Sequence, residues 1–124
     1  MPDRLLADIM TREVVTSSAE DELAQVAKKM AAGRISCVVV VSGRKPVGIV
    51  SERDIVRAVA ERPGLMVGML VREMMSSPVV TMRPDNSLVE AKRMMLERKF
   101  RRFPIVNEEG HLIGLVTQTD LLRH

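Results

Sequence analysis

The 124-residue sequence has no tryptophan and no tyrosine, and its only aromatic residues are Phe100 and Phe103. Stacking platforms for single-stranded nucleic acid are therefore nearly absent, which ranks nucleic-acid binding last among candidate roles. A single cysteine, Cys37, excludes an internal disulfide and fits a reducing, cytoplasmic interior. No apolar run approaches the length of a membrane span. The opening eight residues carry two acids and lack the apolar core of an export signal. There are two histidines, His111 in a turn and His124 at the terminus, and neither belongs to a triad or a metal-ligand spacing. No Gly-rich loop ending in Lys-Ser/Thr occurs, so nucleotide hydrolysis is not expected even where a nucleotide binds. Catalytic and metal-ligating residues are accordingly unassigned.

What the sequence does carry is 46% hydrophobic residues, ten of its residues being methionines that fill the space aromatics usually take. A chain of this length forms one globular domain without disulfides or metals. Nineteen basic against sixteen acidic residues leave a net charge of +3, which favours anionic partners only weakly.

The organising feature is a repeat. Gly48-Ile49-Val50-Ser51-Glu52-Arg53-Asp54 returns as Gly114-Leu115-Val116-Thr117-Gln118-Thr119-Asp120. Upstream, Asp8-Ile9-Met10 answers to Glu73-Met74-Met75 and Val14-Val15-Thr16 to Val79-Val80-Thr81. Leu23, Met30 and Val41 answer to Leu88, Met95 and Val106, all at one constant offset. One inserted residue then brings Gly48 to Gly114. The chain divides into repeat 1, residues 1–64, and repeat 2, residues 65–124, which is too few copies for a solenoid and suits a pseudo-symmetric pair.

Each copy reads as β-α-β-β-α. Residues 3–10 form a short helical lead-in, and Glu13–Thr16 is a brief β-branched strand. Leu23, Val26, Ala27, Met30 and Ala31 place an apolar stripe on a helix that Gly33 stops. Ile35–Val41 is apolar on both faces and predicts a buried strand, with Val47–Val50 its hairpin partner. A helix over 52–62 follows, broken by Pro63-Gly64. Leu65 to Met75 then leads on without a polar spacer and predicts an ordered linker. In the second copy, Ser87 and Glu90 match a capping box opening the helix of Leu88, Ala91, Met95 and Leu96. Phe103–Val106 pairs with Leu112–Val116, and Thr117–His124 is the last helix.

The ordered set, found twice, resembles paired cystathionine-β-synthase (CBS) domains, the Bateman module. The resemblance covers nearly the whole chain. It implies an α/β (α+β) fold of two repeats packed sheet to sheet around a pseudo-two-fold axis, with two clefts, and modules that commonly pair into a homodimer. It also implies an adenosyl ligand, AMP, ADP, ATP or S-adenosylmethionine, in a regulatory rather than catalytic role. With no attached enzyme in the sequence, the output would act in trans on an unidentified protein target. Whether magnesium accompanies a polyphosphate is open.

Ser51-x-x-Asp54 and Thr117-x-x-Asp120 fit a helix capping box as they stand. The resemblance adds ribose binding, since an ionised carboxylate accepts both hydroxyls of a cis-diol. Gly48 and Gly114 inside strands mark a close approach, by ligand or by neighbouring chain. Thr16 and Thr81 end strands where a hydroxyl either terminates the element or reaches the ligand. The resemblance places Arg101 and Arg102 at a cleft edge, where guanidinium forks suit phosphate. In repeat 1, Cys37 stands where repeat 2 has Arg102, so that cleft is less cationic, although pseudo-symmetry lets Arg34 or Arg53 reach a phosphate. An apolar adenine pocket would draw on Ile35, Val38, Phe100, Phe103 and Pro104, with core packing the ordinary role of the phenylalanines. The alternative to a sensor is a constitutive dimerisation or protein-interaction module with no nucleotide, using apolar residues such as Leu65, Met66, Met69 and Leu70.

Overall fold

Leu23, Val26 and Met30 fall on one face of α1 (Leu23–Gly33), and all three are buried. The rest of the fold is built around two such faces, one per repeat. The computed structural model describes residues 3–64 and 67–124, so Leu65 and Met66 of the expected linker lie outside the described residues. The chain forms two compact units, and they are not divided at the sequence repeat. One is the contiguous stretch Val15–Val79; the other combines Met1–Val14 with Val80–His124.

In the contiguous unit, β1 (Thr16–Ser17) runs parallel to β2 (Cys37–Ser42), which pairs antiparallel with β3 (Lys45–Ser51). Val38, Val39 and Val40 are fully buried, as a strand covered on both faces requires. The register bulges between Val40 and Val41, where Pro46 has no N–H to give the ladder. The core joins α1 and the sheet to Ala58 of α2 (Glu52–Glu61) and to Val71 and Met74 of α3 (Val71–Met74).

In the composite unit, β4 (Arg102–Val106) and β5 (Leu112–Thr117) form an antiparallel pair beside α4 (Leu88–Arg98) and α5 (Gln118–Arg123). Its core contains Leu88, Ala91, Phe103, Ile105, Val116 and Leu121, and also Leu6 and Met10 from the start of the chain. The lead-in is a 3-10 turn, Leu6–Asp8. Leu6 N–H donates to the Asn86 carbonyl at 2.9 Å, Ala7 N–H to that of Pro84 at 3.0 Å, and Thr11 exchanges two 2.9 Å bonds with Leu115. The opening segment of repeat 2 docks on repeat 1 in the same way. Val71 N–H donates to Asp21, Arg72 N–H to Ala19, and Ser76 exchanges bonds with Ile49.

Four sequence expectations need correction. The strand expected at Glu13–Thr16 is instead Thr16–Ser17, so Thr16 begins the element rather than ending it. The strand expected at Val79–Thr81 contracts to one parallel bridge between Met82 and Ile105. In repeat 1 the Val39 N–H donates to the Val15 carbonyl at 3.2 Å. Pro104 occupies the equivalent position in repeat 2 and has no N–H, so that rung cannot form. The strand expected from Ile35 begins only at Cys37. Gly33 does not stop α1 by turning left-handed: it is the last helical residue, and Arg34 takes the left-handed cap at φ 53°, as Lys99 does after α4 at φ 59°.

The strand glycines are explained by methionine. A Cβ on Gly48 would lie 2.6 Å from the Met75 sulfur, and one on Gly114 would lie 2.5 Å from that of Met10. Any side chain at either position would require the methionine to move. Among the described residues no helix is long and apolar enough to cross a membrane.

Candidate functional site

Each β-hairpin runs straight into a helix, and at both junctions a hydroxyl and a carboxylate three residues apart close a reciprocal box. Ser51 N–H and its Oγ donate to Asp54 Oδ2 at 2.8 and 3.0 Å, while the Asp54 N–H donates to Ser51 Oγ at 3.3 Å. Thr117 and Asp120 repeat this at 2.9, 3.0 and 3.3 Å. The capping reading of both motifs is therefore realised in the structure. The box commits Oδ2 of each carboxylate and leaves Oδ1 outside it. A carboxylate so fixed is a preorganised acceptor for hydroxyl or amide donors.

The candidate residues fall into two sets, one per unit. The contiguous unit holds Thr16, Arg34, Ile35, Val38, Ser51, Arg53 and Asp54; the composite unit holds Thr81, Phe100, Arg101, Arg102, Phe103, Pro104, Thr117 and Asp120. Within each set, register brings particular pairs together. Arg102 lies directly across the sheet from Thr117, and Cys37 from Ser51. Directly opposite residues share a sheet face. A cation thus flanks the Asp120 box where a buried thiol flanks that of Asp54.

Arg102 is half-buried, and its Nε is shielded from solvent with no hydrogen-bond partner. Arg34, Arg53 and Arg101 are exposed, with no side-chain partner among the described residues. Their guanidinium groups are available to an anion. Thr16 is partly buried in β1 and Thr81 is exposed. Of the apolar candidates, Val38 and Phe103 are fully buried in the two cores and Pro104 is buried. Ile35 and Phe100 pack at the margins of those cores and keep partial exposure. These two are the apolar candidates with surface to offer a base.

Two arginines were missed from sequence, one at the Asp54 box and one elsewhere in the unit of Asp120. Arg57, one turn after Asp54, places Nη2 3.5 Å from Asp54 Oδ1. The i, i+3 spacing of opposite charges was the signal available for it. Arg83 follows the Met82 bridge residue and, like Arg102, has a buried Nε without partner. A lone arginine beside a proline gave no signal. Among the described residues no group of three or more His, Cys, Asp or Glu side chains is placed to hold a metal ion.

Two copies of a strand pair feeding a helix, each closed by a hydroxyl–carboxylate box, define a tandem α/β repeat module. The chain belongs to the CBS domain family, whose model matches residues 6–61 and again 71–124. An uncharacterized protein of Methanopyrus kandleri is 35% identical over 95% of this chain and 61% of its own length. The inosine-5'-monophosphate dehydrogenase of Korarchaeum cryptofilum is 38% identical over 89% of this chain, which matches 22% of that enzyme. The chain thus spans about three fifths of the first relative and about a fifth of the second. Among solved structures, a CBS-domain-containing protein of Agrobacterium tumefaciens superposes with a TM-score of 0.86 at 26% identity, covering 97% of this chain and 98% of that one. A CBS domain protein of Pyrobaculum aerophilum complexed with AMP superposes with a TM-score of 0.84 at 28% identity, covering 94% and 89%.

Proposed function

We propose that the protein is a regulatory module, not an enzyme, that senses an adenine nucleotide of the AMP, ADP or ATP class and signals in trans from the cytoplasm. Repeats 1–64 and 65–124 each contribute one carboxylate box. The ribose diol engages the outer oxygen of Asp120 or Asp54. Arg101, Arg102, Arg34 and Arg53 neutralise phosphate, with Mg2+ joining where the phosphate chain is long. Ile35 and Phe100 contribute apolar surface to the base, with Val38, Phe103 and Pro104 behind them, while Thr16 and Thr81 add hydroxyls at the rim.

The observation carrying this reading is the duplicated box, which fixes a carboxylate by one oxygen and leaves the other outside. AMP in the Pyrobaculum aerophilum relative supports the ligand class. A ligand changes the output only through different affinities for two arrangements of the protein.

Isothermal titration with AMP, ADP, ATP and S-adenosylmethionine tests the proposal. Saturable binding of a phosphorylated nucleotide is the expected result. Absence of binding to all four at millimolar concentration would replace the sensor with a second reading, an interaction module that works as a homodimer. That reading is favoured by exposed apolar residues at equivalent places on the two closing helices, Val56 at 67% exposure and Leu122 at 72%. Sedimentation of a Val56→Asp, Leu122→Asp double variant tests it.

A further inference from the structure

The two carboxylate boxes are alike in their inner oxygens and unlike in their outer ones. Asp54 is 4% exposed, and its Oδ1 faces Arg57 at 3.5 Å. Arg57 is also held by Glu61 one turn on, its Nε 4.0 Å from Oε1, so the guanidinium is braced between two carboxylates. In the other repeat Arg123 stands three residues after Asp120, as Arg57 does after Asp54, yet no ion pair joins them among the described residues. Asp120 is half-buried, and among the described residues its carboxylate accepts only the two bonds of the box, both on Oδ2. The flanking residues differ in the same direction. Across the sheet from Thr117 is Arg102, with an unsatisfied Nε, whereas Ser51 faces Cys37. Arg83, whose Nε is likewise unsatisfied, belongs to the unit of Asp120, and its repeat equivalent is Ser18.

We propose that Arg57 is an internal occupant of the Asp54 carboxylate, so that the chain takes one nucleotide tightly, on Asp120, rather than two alike. The inference rests on the nucleotide-sensing reading above and adds which box is open and what closes the other. A ribose hydroxyl reaching Asp54 must displace a guanidinium from the oxygen it needs, a competitor that carries a full opposite charge and is tethered one turn away on the same helix. Phosphate adds to the difference, since Arg102, across the sheet from Thr117, offers an N–H that lacks an acceptor while Cys37, across from Ser51, offers no charge. Arg57 is thus a gating residue for the second site, and a partner or modification that drew it away would turn a one-nucleotide module into a two-nucleotide one.

The test is isothermal titration of AMP into the full chain as wild type, Asp120→Asn, Arg57→Gln and Arg57→Gln with Asp54→Asn, with a thermal midpoint for each. Asparagine keeps an acceptor for the box, and Arg57 is half exposed at 50%, so these variants retain the fold. The expected wild-type stoichiometry is one per chain. Asp120→Asn weakens binding about tenfold or more, the loss of a hydrogen bond to a charged group. Arg57→Gln makes a second site appear, and adding Asp54→Asn removes it. Two equal sites in the wild type, an Arg57→Gln variant that still binds one, or full affinity in Asp120→Asn each overturn the inference while leaving the sensing function standing. Absence of AMP binding in all four proteins overturns the inference, and absence of ADP, ATP and S-adenosylmethionine binding as well defeats the sensing function with it.

Discussion

At the scale of single residues, the glycines and the arginines separate structural from functional constraint. Gly48 and Gly114 open the motif that names the repeat, and a ligand was one reason the sequence offered for them. The structure gives another, a methionine sulfur lying where a Cβ would be. The two sites differ in their capacity to yield. At Gly48 all three near atoms belong to the Met75 side chain, which can change rotamer; at Gly114 the Thr11 carbonyl lies 3.2 Å away as well, and backbone cannot. Both alanine variants should be destabilised, by about 1–3 kcal/mol as for other overpacked positions, with Gly114→Ala the worse. Urea unfolding of the two variants checks the order, and equal stability with wild type would mean that neither methionine is confined. Asp54 and Asp120 were legible because both stand in the repeat. Arg57 and Arg83 were not read, because their roles depend on a helix turn and on burial rather than on spacing between motifs.

At the scale of elements, the sequence foresaw the longer helices and both hairpins, read the short α3 only as linker, and placed the element ends less well. Ser87–Glu90 closes its capping box as expected, with Ser87 Oγ accepting from Glu90 N–H at 3.0 Å. The first strand of repeat 2 was lost to a property of its partner. Pro104 was visible, but its cost falls on residues well upstream in the chain, where local pattern does not look. The short helix α3 shows how a single carboxylate holds an element. Glu73 Oε2 accepts the Leu70 N–H at 2.7 Å and Oε1 meets Arg62 at 3.2 Å. The backbone hydrogen bond first, and Arg62 after it, hold the Glu73 carboxyl below its ordinary value of 4.5. A carboxyl whose folded pKa is depressed contributes stability fully present above the unfolded value and lost as pH falls through the folded one. The thermal midpoint should therefore decline as pH is lowered from about 4.5. Glu73→Gln should lower the midpoint at neutral pH and flatten that acid slope. An unchanged slope in the variant would assign the acid sensitivity elsewhere.

At the scale of the whole molecule, the repeat in the sequence and the units in space are different divisions. Linear reading cuts the chain in two near Gly64, because periodicity reports which residues share a face and not which neighbour that face meets. In the structure each repeat's core is completed by the opening segment of the other repeat. Leu6 is fully buried with Phe103, Ile105 and Val116, and Val71 is fully buried with Leu23, Val38 and Val50. Damage should follow the units rather than the sequence. Leu6→Ala removes a buried side chain at a cost of about 2–5 kcal/mol, and that loss is felt first as local opening of the unit that holds it. Hydrogen exchange should then rise across Val80–His124 and across residues 3–14, with residues 15–64 close to wild type although they lie next in the chain. Val71→Ala should do the reverse, loosening α1, β2 and β3 while leaving β4 and β5 protected. Exchange that instead rose mainly in the sequence neighbours of each substitution would show that the linear repeats, rather than the interleaved units, are what open and close cooperatively.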